Sequence, residues 1–187
     1  MKKILYLSLF VVSIVFTACS NNADKTTTDT NKQTKTTKTV TNSSFILKDV
    51  NGDSITATAT KKGFIFSNAK NKIVLVTFFA TWCPPCKAEI PHLNNLQEKY
   101  KKDVTIIGIL LEQNRDNDDI KKFINNNAIN YTITNSLGNQ QLATAVGGVS
   151  HIPFMIMYDR KGDYVTNYLG AVPQEMIDSD IESALKK

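Results

Sequence analysis

The stretch Ile73-Val74-Leu75-Val76-Thr77-Phe78-Phe79-Ala80-Thr81-Trp82-Cys83-Pro84-Pro85-Cys86-Lys87-Ala88-Glu89-Ile90-Pro91 decides how this chain folds. Its first seven residues, Ile73 to Phe79, are almost continuously apolar or β-branched, the pattern of a short central strand covered on both faces. Downstream, Ile90, Leu93, Leu96 and Tyr100 recur at steps of three and four, the stripe of an amphipathic helix, with Pro91 expected to kink it. Cys83 and Cys86 therefore stand where a strand ends and a helix begins. Pro84 and Pro85 suit that place, because the first helical N–H groups have no intrahelical acceptor and proline's fixed φ is already helical.

A helix N-terminus carries partial positive charge, which favours a thiolate over its thiol. In Cys-x-x-Cys motifs the attacking thiol falls from about 8.5 into the range of roughly 3.5–7.5. Cys83 is thus the expected nucleophile on a disulfide, with Cys86, one turn further in and expected to be the more buried, resolving the mixed disulfide. Haem attachment is excluded, since Lys87 stands where such a site needs His. A structural zinc would need ligands beyond the two thiols, and His92 and His151 have unsuitable spacing for one. A copper-carrying protein, with both histidines folded toward the thiols, stays open as an alternative. No metal and no cofactor is expected.

Working outward to the N-terminus, Lys2 and Lys3 precede an apolar run, Ile4 to Phe16, which Thr17 and Ala18 close before Cys19. That is the anatomy of an export signal, and the run falls short of the ~20 residues that span a bilayer as a helix. Residues 1–18 are expected to be a cleaved signal peptide. Cys19 stands where a bacterial lipobox places its acylated cysteine, although Phe16 replaces the usual aliphatic residue, so Cys19 is the expected lipid anchor; an ordinary cleavage nearby is the alternative. From Ser20 to Ser44 the chain is nearly all Thr, Asn, Lys, Ser and Asp without an aromatic, too polar to offset its ordering entropy. Residues 19–44 read as a lipidated cysteine and disordered linker, with a coil reach of roughly 25–30 Å.

Of the three cysteines, only Cys83 and Cys86 then remain in the folded part. A bridge over two intervening residues adds little stability, so the value of the pair lies in its chemistry. The formal net charge is +5, but residues 45–187 hold 16 basic and 15 acidic groups. A phosphate-neutralising footprint is therefore not expected, and nor is a nucleic-acid partner.

The segment Phe79 to Pro91 resembles the active site of the TlpA/ResA-type thioredoxins, through Trp-Cys-Pro-Pro-Cys followed by Lys87, Glu89 and Pro91. Val149-Ser150-His151-Ile152-Pro153, with the apolar run Phe154 to Tyr158 behind it, looks like the loop and strand that carry the fold's cis-proline. The resemblance covers residues 45–187. It implies an α/β thioredoxin fold, a central mixed sheet flanked by helices, with an N-terminal β-hairpin extension. It also implies a cis Pro153 preceded by Ile152, both lying against the dithiol and offering backbone groups to a client, with Trp82, Pro84 and Pro85 as active-site neighbours. Trp82 is expected as an apolar lid on the dithiol or as core packing. Thioredoxin's buried Asp is replaced here by Thr77; Glu89 matches the TlpA/ResA acid and is expected to tune the thiols and shuttle protons, the alternative being an ordinary surface glutamate.

Elsewhere, Phe45 to Lys48 and Ser54 to Ala57 flank Asn51-Gly52, a hairpin signal. Val104 to Leu111 reads as a second buried strand, and Ile120, Phe123 and Ile124 mark a helix opened by Asp116, Asp118 and Asp119. Asp159 to Gly162 reads as a turn into Tyr164 to Leu169, and Pro173 to Lys186 as a last helix. His92 and His151 are expected to be inert. By resemblance the chain is a monomeric thiol-disulfide oxidoreductase of the bacterial envelope or periplasm. It would reduce disulfides of exported clients in cytochrome c biogenesis or metal-site assembly, fed by a membrane electron donor. A disulfide oxidase or isomerase is the alternative, and a non-catalytic binding or metal-carrying lipoprotein a further one.

Overall fold

A computed structural model describes residues 43–186; the expectations for the leader, Cys19 and most of the linker lie outside the described residues. Five strands form a mixed sheet: β4 (Ile73–Phe79), β5 (Val104–Leu110), β6 (Thr132–Thr134), β7 (Phe154–Tyr158) and β8 (Tyr164–Leu169), in the order β6-β5-β4-β7-β8. The pairs β4–β5 and β5–β6 are parallel, and β4–β7 and β7–β8 antiparallel. Before them, β1 (Ser44–Lys48), β2 (Ser54–Ala59) and β3 (Phe64–Phe66) make a separate antiparallel sheet. The expected hairpin is β1–β2, paired from Ser44↔Thr58 to Lys48↔Ser54, and β3 extends it by a strand the sequence had not signalled.

Central β4 is buried along its whole length because both of its faces are covered. Its side chains alternate with period two. Val74, Val76 and Phe78 pack with Ile107, Ile109, Leu142 and Ile156 and with Leu47, Ile55 and Phe66 of the small sheet. On the other face, Ile73 and Leu75 meet Leu93 and Leu96 of α1 (Pro84–Lys99) and Ile177 and Ile181 of α4 (Gln174–Leu185). Each such side chain taken fully from water is worth about 1.5–3 kcal/mol, which fixes α1 and α4 on one side of the sheet. Helix α1 runs on through Pro91, whose ring is exposed. Helix α2 (Asn117–Asn126) is capped by Asp116, whose carboxylate accepts from the Asp118 N–H at 2.7 Å.

Helix α3 (Leu137–Ala145) and β6 have no counterpart in the sequence reading. The β7–β8 turn is drawn tight by Asp159, whose Oδ1 accepts from the backbone of Lys161 and Asp163. Gly162 takes φ +80°, and a Cβ there would lie 2.6 Å from Phe64 O, so only glycine lets this turn close on β3. Among the described residues no helix is long and apolar enough to cross a membrane.

Candidate active site

Strand β4 delivers the chain to Ala80, whose carbonyl accepts from the Cys83 N–H at 3.2 Å, and α1 starts at Pro84. Cys83 is the N-cap, with extended φ −84° and ψ 109°, and its Sγ accepts from the Cys86 N–H at 3.2 Å. Pro84 and Pro85 fill the first two helical positions, where no N–H is missed. Cys83 and Cys86 are joined as a disulfide with Cα atoms 5.3 Å apart.

Both cysteines are buried, Cys83 at 3 % and Cys86 at 5 % exposure, so Cys86 is not the more buried of the two. The bridge holds both sulfurs in one apolar cluster with Phe79, Ala80, Ile90 and Leu110, so neither is set apart by burial. Ile152 packs against that same cluster, and the Ile152–Pro153 bond is cis. The buried Pro153 presents its carbonyl to the Gly170 N–H at 2.8 Å. The turn before β7, the strand paired with β4, is thus brought onto the dithiol.

Trp82 is 68 % exposed, so it does not pack in the core. Its neighbour Thr81 is buried and carries the backbone that holds the loop. The Thr81 N–H donates to Glu112 Oε1, and Arg115 Nε lies 3.7 Å from Glu112 Oε2. Glu112, with its side chain 12 % exposed, went unremarked in the sequence. Its signal was an acid just past β5, after Leu111, at the strand end where α/β sheets place functional groups. A cleft of about 280 Å³ opens beside it, lined by Leu110, Arg115, Asn135, Leu137 and Gln140.

Glu89 is 1 % exposed, so the reading of it as a surface residue fails. It sits on the first turns of α1 with Oε1 accepting from the Val172 N–H at 3.2 Å, while Oε2 is buried without a hydrogen-bond partner among the described residues. Burial raises its carboxyl from 4.5 to about 7, against the opposing pull of the Val172 N–H. The Tyr131 phenol is pushed up by its own burial and further by the Glu89 charge, which places the two in electrostatic contact. Thr77 is buried mid-strand on β4. A carboxyl that exchanges its proton near neutrality, on the helix that carries Cys86, is suited to giving and taking protons as the thiols change state. The exposed His151 shares a 2.9 Å hydrogen bond with Ser150 Oγ, and His92 has its Nδ1 buried without a hydrogen-bond partner among the described residues.

The family model for Redoxin matches residues 16–185. The thiol-disulfide oxidoreductase ResA of Bacillus thuringiensis is 29% identical over 144 residues, which are 76% of this chain and 73% of that protein. A thiol:disulfide interchange protein of the thioredoxin family from Chlorobium tepidum superposes with a TM-score of 0.62 at 26% identity, covering 76% of this chain and 93% of that one. StoA of Bacillus subtilis gives 0.57 at 20% identity, covering 75% and 97%. With its dithiol at the head of α1, a cis-proline turn against it and these relatives, the chain belongs to the Redoxin family, as a thioredoxin-fold member of the TlpA/ResA type.

Proposed function

We propose that this chain is an exported thiol-disulfide oxidoreductase that reduces disulfides of client proteins through Cys83 and Cys86. The observation that carries the reading is the redox pair itself: Cys83 Sγ caps α1 and is bonded to Cys86, with the buried Glu89 one turn along. In the reduced protein, Cys83 thiolate attacks a client sulfur; a Cys83–client bond forms and the client's second sulfur leaves as a thiolate that takes a proton. Cys86 thiolate then displaces the client from Cys83, closing the bridge seen here. Two electrons pass to the client, and the proton shed by Cys86 goes to Glu89. A membrane electron donor restores the dithiol.

Residues 1–18 serve as the export signal, Cys19 as the acylated anchor, 19–44 as the tether and 45–187 as the catalytic domain. This supports a place on the outer side of a membrane, where apocytochromes c or metal-site assembly proteins are fitting clients. Trp82, Ile152 and Pro153 are the groups offered to the client, the first by exposure and the others by their place beside the bridge.

Trapping tests the reading. The Cys86→Ala chain should accumulate a mixed disulfide through Cys83, and mass spectrometry of the adduct names the client. No adduct, together with no turnover of a model disulfide by the parent chain, sinks the proposal. A reduction potential near thioredoxin's ~−270 mV fits the reductase, and one near DsbA's ~−120 mV would make the chain an oxidant.

A further inference from the structure

Strands β4 and β5 run parallel, so the domain has two poles: one carries the dithiol past their C-terminal ends, the other the segments that lead into them. Cations gather at the second pole. Lys72 Nζ, before β4, donates to the Lys101 carbonyl before β5 at 2.8 Å. In the β7–β8 turn the Arg160 guanidinium reaches Asp103 at 3.0 Å and the Leu185 carbonyl at the end of α4 at 3.5 Å. Lys62, in the β2–β3 turn, lies 3.4 Å from Asp163, and Gly63 bridges to Asp163.

These contacts knit the connections into one surface and bring Lys61, Lys70, Lys102, Lys161 and Lys186 with them, all exposed. With Lys99, Asp178 and Glu182 alongside, ten cations face six acids, leaving four positive charges in excess. Each acid is already engaged: Glu98 by Lys101, Asp103 by Arg160, Asp163 by Lys62, and Asp159 by the amides of its own turn. Lys99, alongside on α1, is taken up by Asp178 and Glu182. Past the C-terminal ends of β4 and β5, Lys87 and Arg115 face Glu112 and Asp116, and the α2 acids Asp118 and Asp119 are met by Lys121 and Lys122. Seven residues of β4, roughly 20 Å, separate the two poles.

The described chain joins the domain at this same pole. The Ala59 N–H donates to the Ser43 carbonyl at 2.9 Å, and the Thr60 N–H to the Gly63 carbonyl at 2.8 Å, so the polypeptide enters the fold beside the cationic β2–β3 turn. The described chain thus begins at the basic pole, on the side away from the dithiol.

We propose that this pole is a docking surface for an anionic lipid bilayer, on which the domain rests with Cys83 and Trp82 facing away from the membrane. The proposal takes from the functional reading only that the chain is held near a membrane. Proximity comes from the tether and orientation from the pole, because each lysine close to an anionic surface strengthens attachment by about fivefold. The docked domain presents the dithiol to clients in solution, and re-reduction by the membrane electron donor takes place when the domain lifts from the surface.

The test is hydrogen exchange on the full chain reconstituted with vesicles of phosphatidylcholine alone or with about a third phosphatidylglycerol. Segments 60–63, 70–72, 101–103 and 159–162 should exchange roughly threefold or more slowly on the anionic vesicles, and the quadruple variant Lys61→Glu, Lys70→Glu, Lys102→Glu, Lys161→Glu should lose the difference. About 0.5 M salt should erase it as well, the screening length then being only a few ångströms. Equal exchange on both vesicles overturns the proposal. So does protection at 80–83 and 150–153 instead, or protection of the pole by soluble polyglutamate with no response to lipid charge. Because the comparison is between lipids on one chain, it reads the pole whether or not Cys19 is acylated. Model-disulfide turnover in detergent should be the same in the quadruple variant and its parent; absence of turnover in the parent would instead strike the oxidoreductase reading alone.

Discussion

Val172 and Glu89, 83 residues apart in the chain, meet through a 3.2 Å hydrogen bond from the Val172 N–H to Glu89 Oε1. The loop between β8 and α4 thereby closes over the carboxyl, and a group that water would ionise at 4.5 holds its proton up to about 7.

The pH dependence of stability follows from that burial. The folded chain binds the Glu89 proton more tightly than the unfolded one, so the benefit is complete below about 4.5 and lost as pH climbs through about 7. From about pH 5 to about pH 8 the parent should lose about 2 kcal/mol relative to Glu89→Gln, after allowance for water reaching the carboxyl. Urea titrations at both pH values measure it, and parallel slopes in the two proteins would contradict a buried acid.

Catalysis should follow the same group. In Glu89→Gln the resolving step, release of client from Cys83 by Cys86, should slow by about a hundredfold, and the limb of the rate profile near pH 7 should vanish. Stopped-flow turnover against pH is the measurement, and identical profiles would retire the proton-transfer role.

Glu112 positions the loop that leads into Cys83. Glu112→Ala leaves the Thr81 N–H unpaired and should cost about 1.5–3 kcal/mol, whereas Glu112→Gln keeps an acceptor and should recover most of it. Amide exchange of Thr81 to Cys83 in both variants separates the two outcomes; equal loss in both would point to the charge and its Arg115 contact instead.

Trp82, the single tryptophan, lies outside the core. Trp82→Ala should therefore leave stability within about 0.5 kcal/mol of the parent while raising KM for a protein client more than it lowers kcat. A large fall in thermal midpoint would show that the ring packs after all.

Gly138, in the first turn of α3, is pinned by the small sheet: a Cβ there would stand 2.1 Å from the Ile46 carbonyl oxygen. Alanine ordinarily favours a helix over glycine by about 1 kcal/mol, but backbone cannot yield as a side chain does. Gly138→Ala should destabilise the domain by about 1–3 kcal/mol, read by chemical denaturation.

Strand β4 and helix α1 were legible because a continuous apolar run and a three-four stripe are what burial on two faces and on one face leave in a sequence. The cap was legible too, through Cys83, Pro84 and Pro85. Helix α3 was not, since its buried positions include Gly138, held by a backbone contact, and Asn139, whose amide donates to the Leu110 and Thr134 carbonyls. Neither leaves a hydrophobic period. Strand β6 is three residues long, too short to show alternation. Resemblance singled out Glu89, but its burial needed the distant Val172 loop. The balanced count of charges hid their segregation, because the clustered lysines come from turns that only the sheet brings together.

One sulfur both begins a helix and performs the exchange. The amide proton of Cys86 is shielded by Cys83 Sγ for as long as that sulfur stays in place. Bonding of that sulfur to a client should disturb this contact, so the Cys86 amide resonance should shift when the mixed disulfide is occupied.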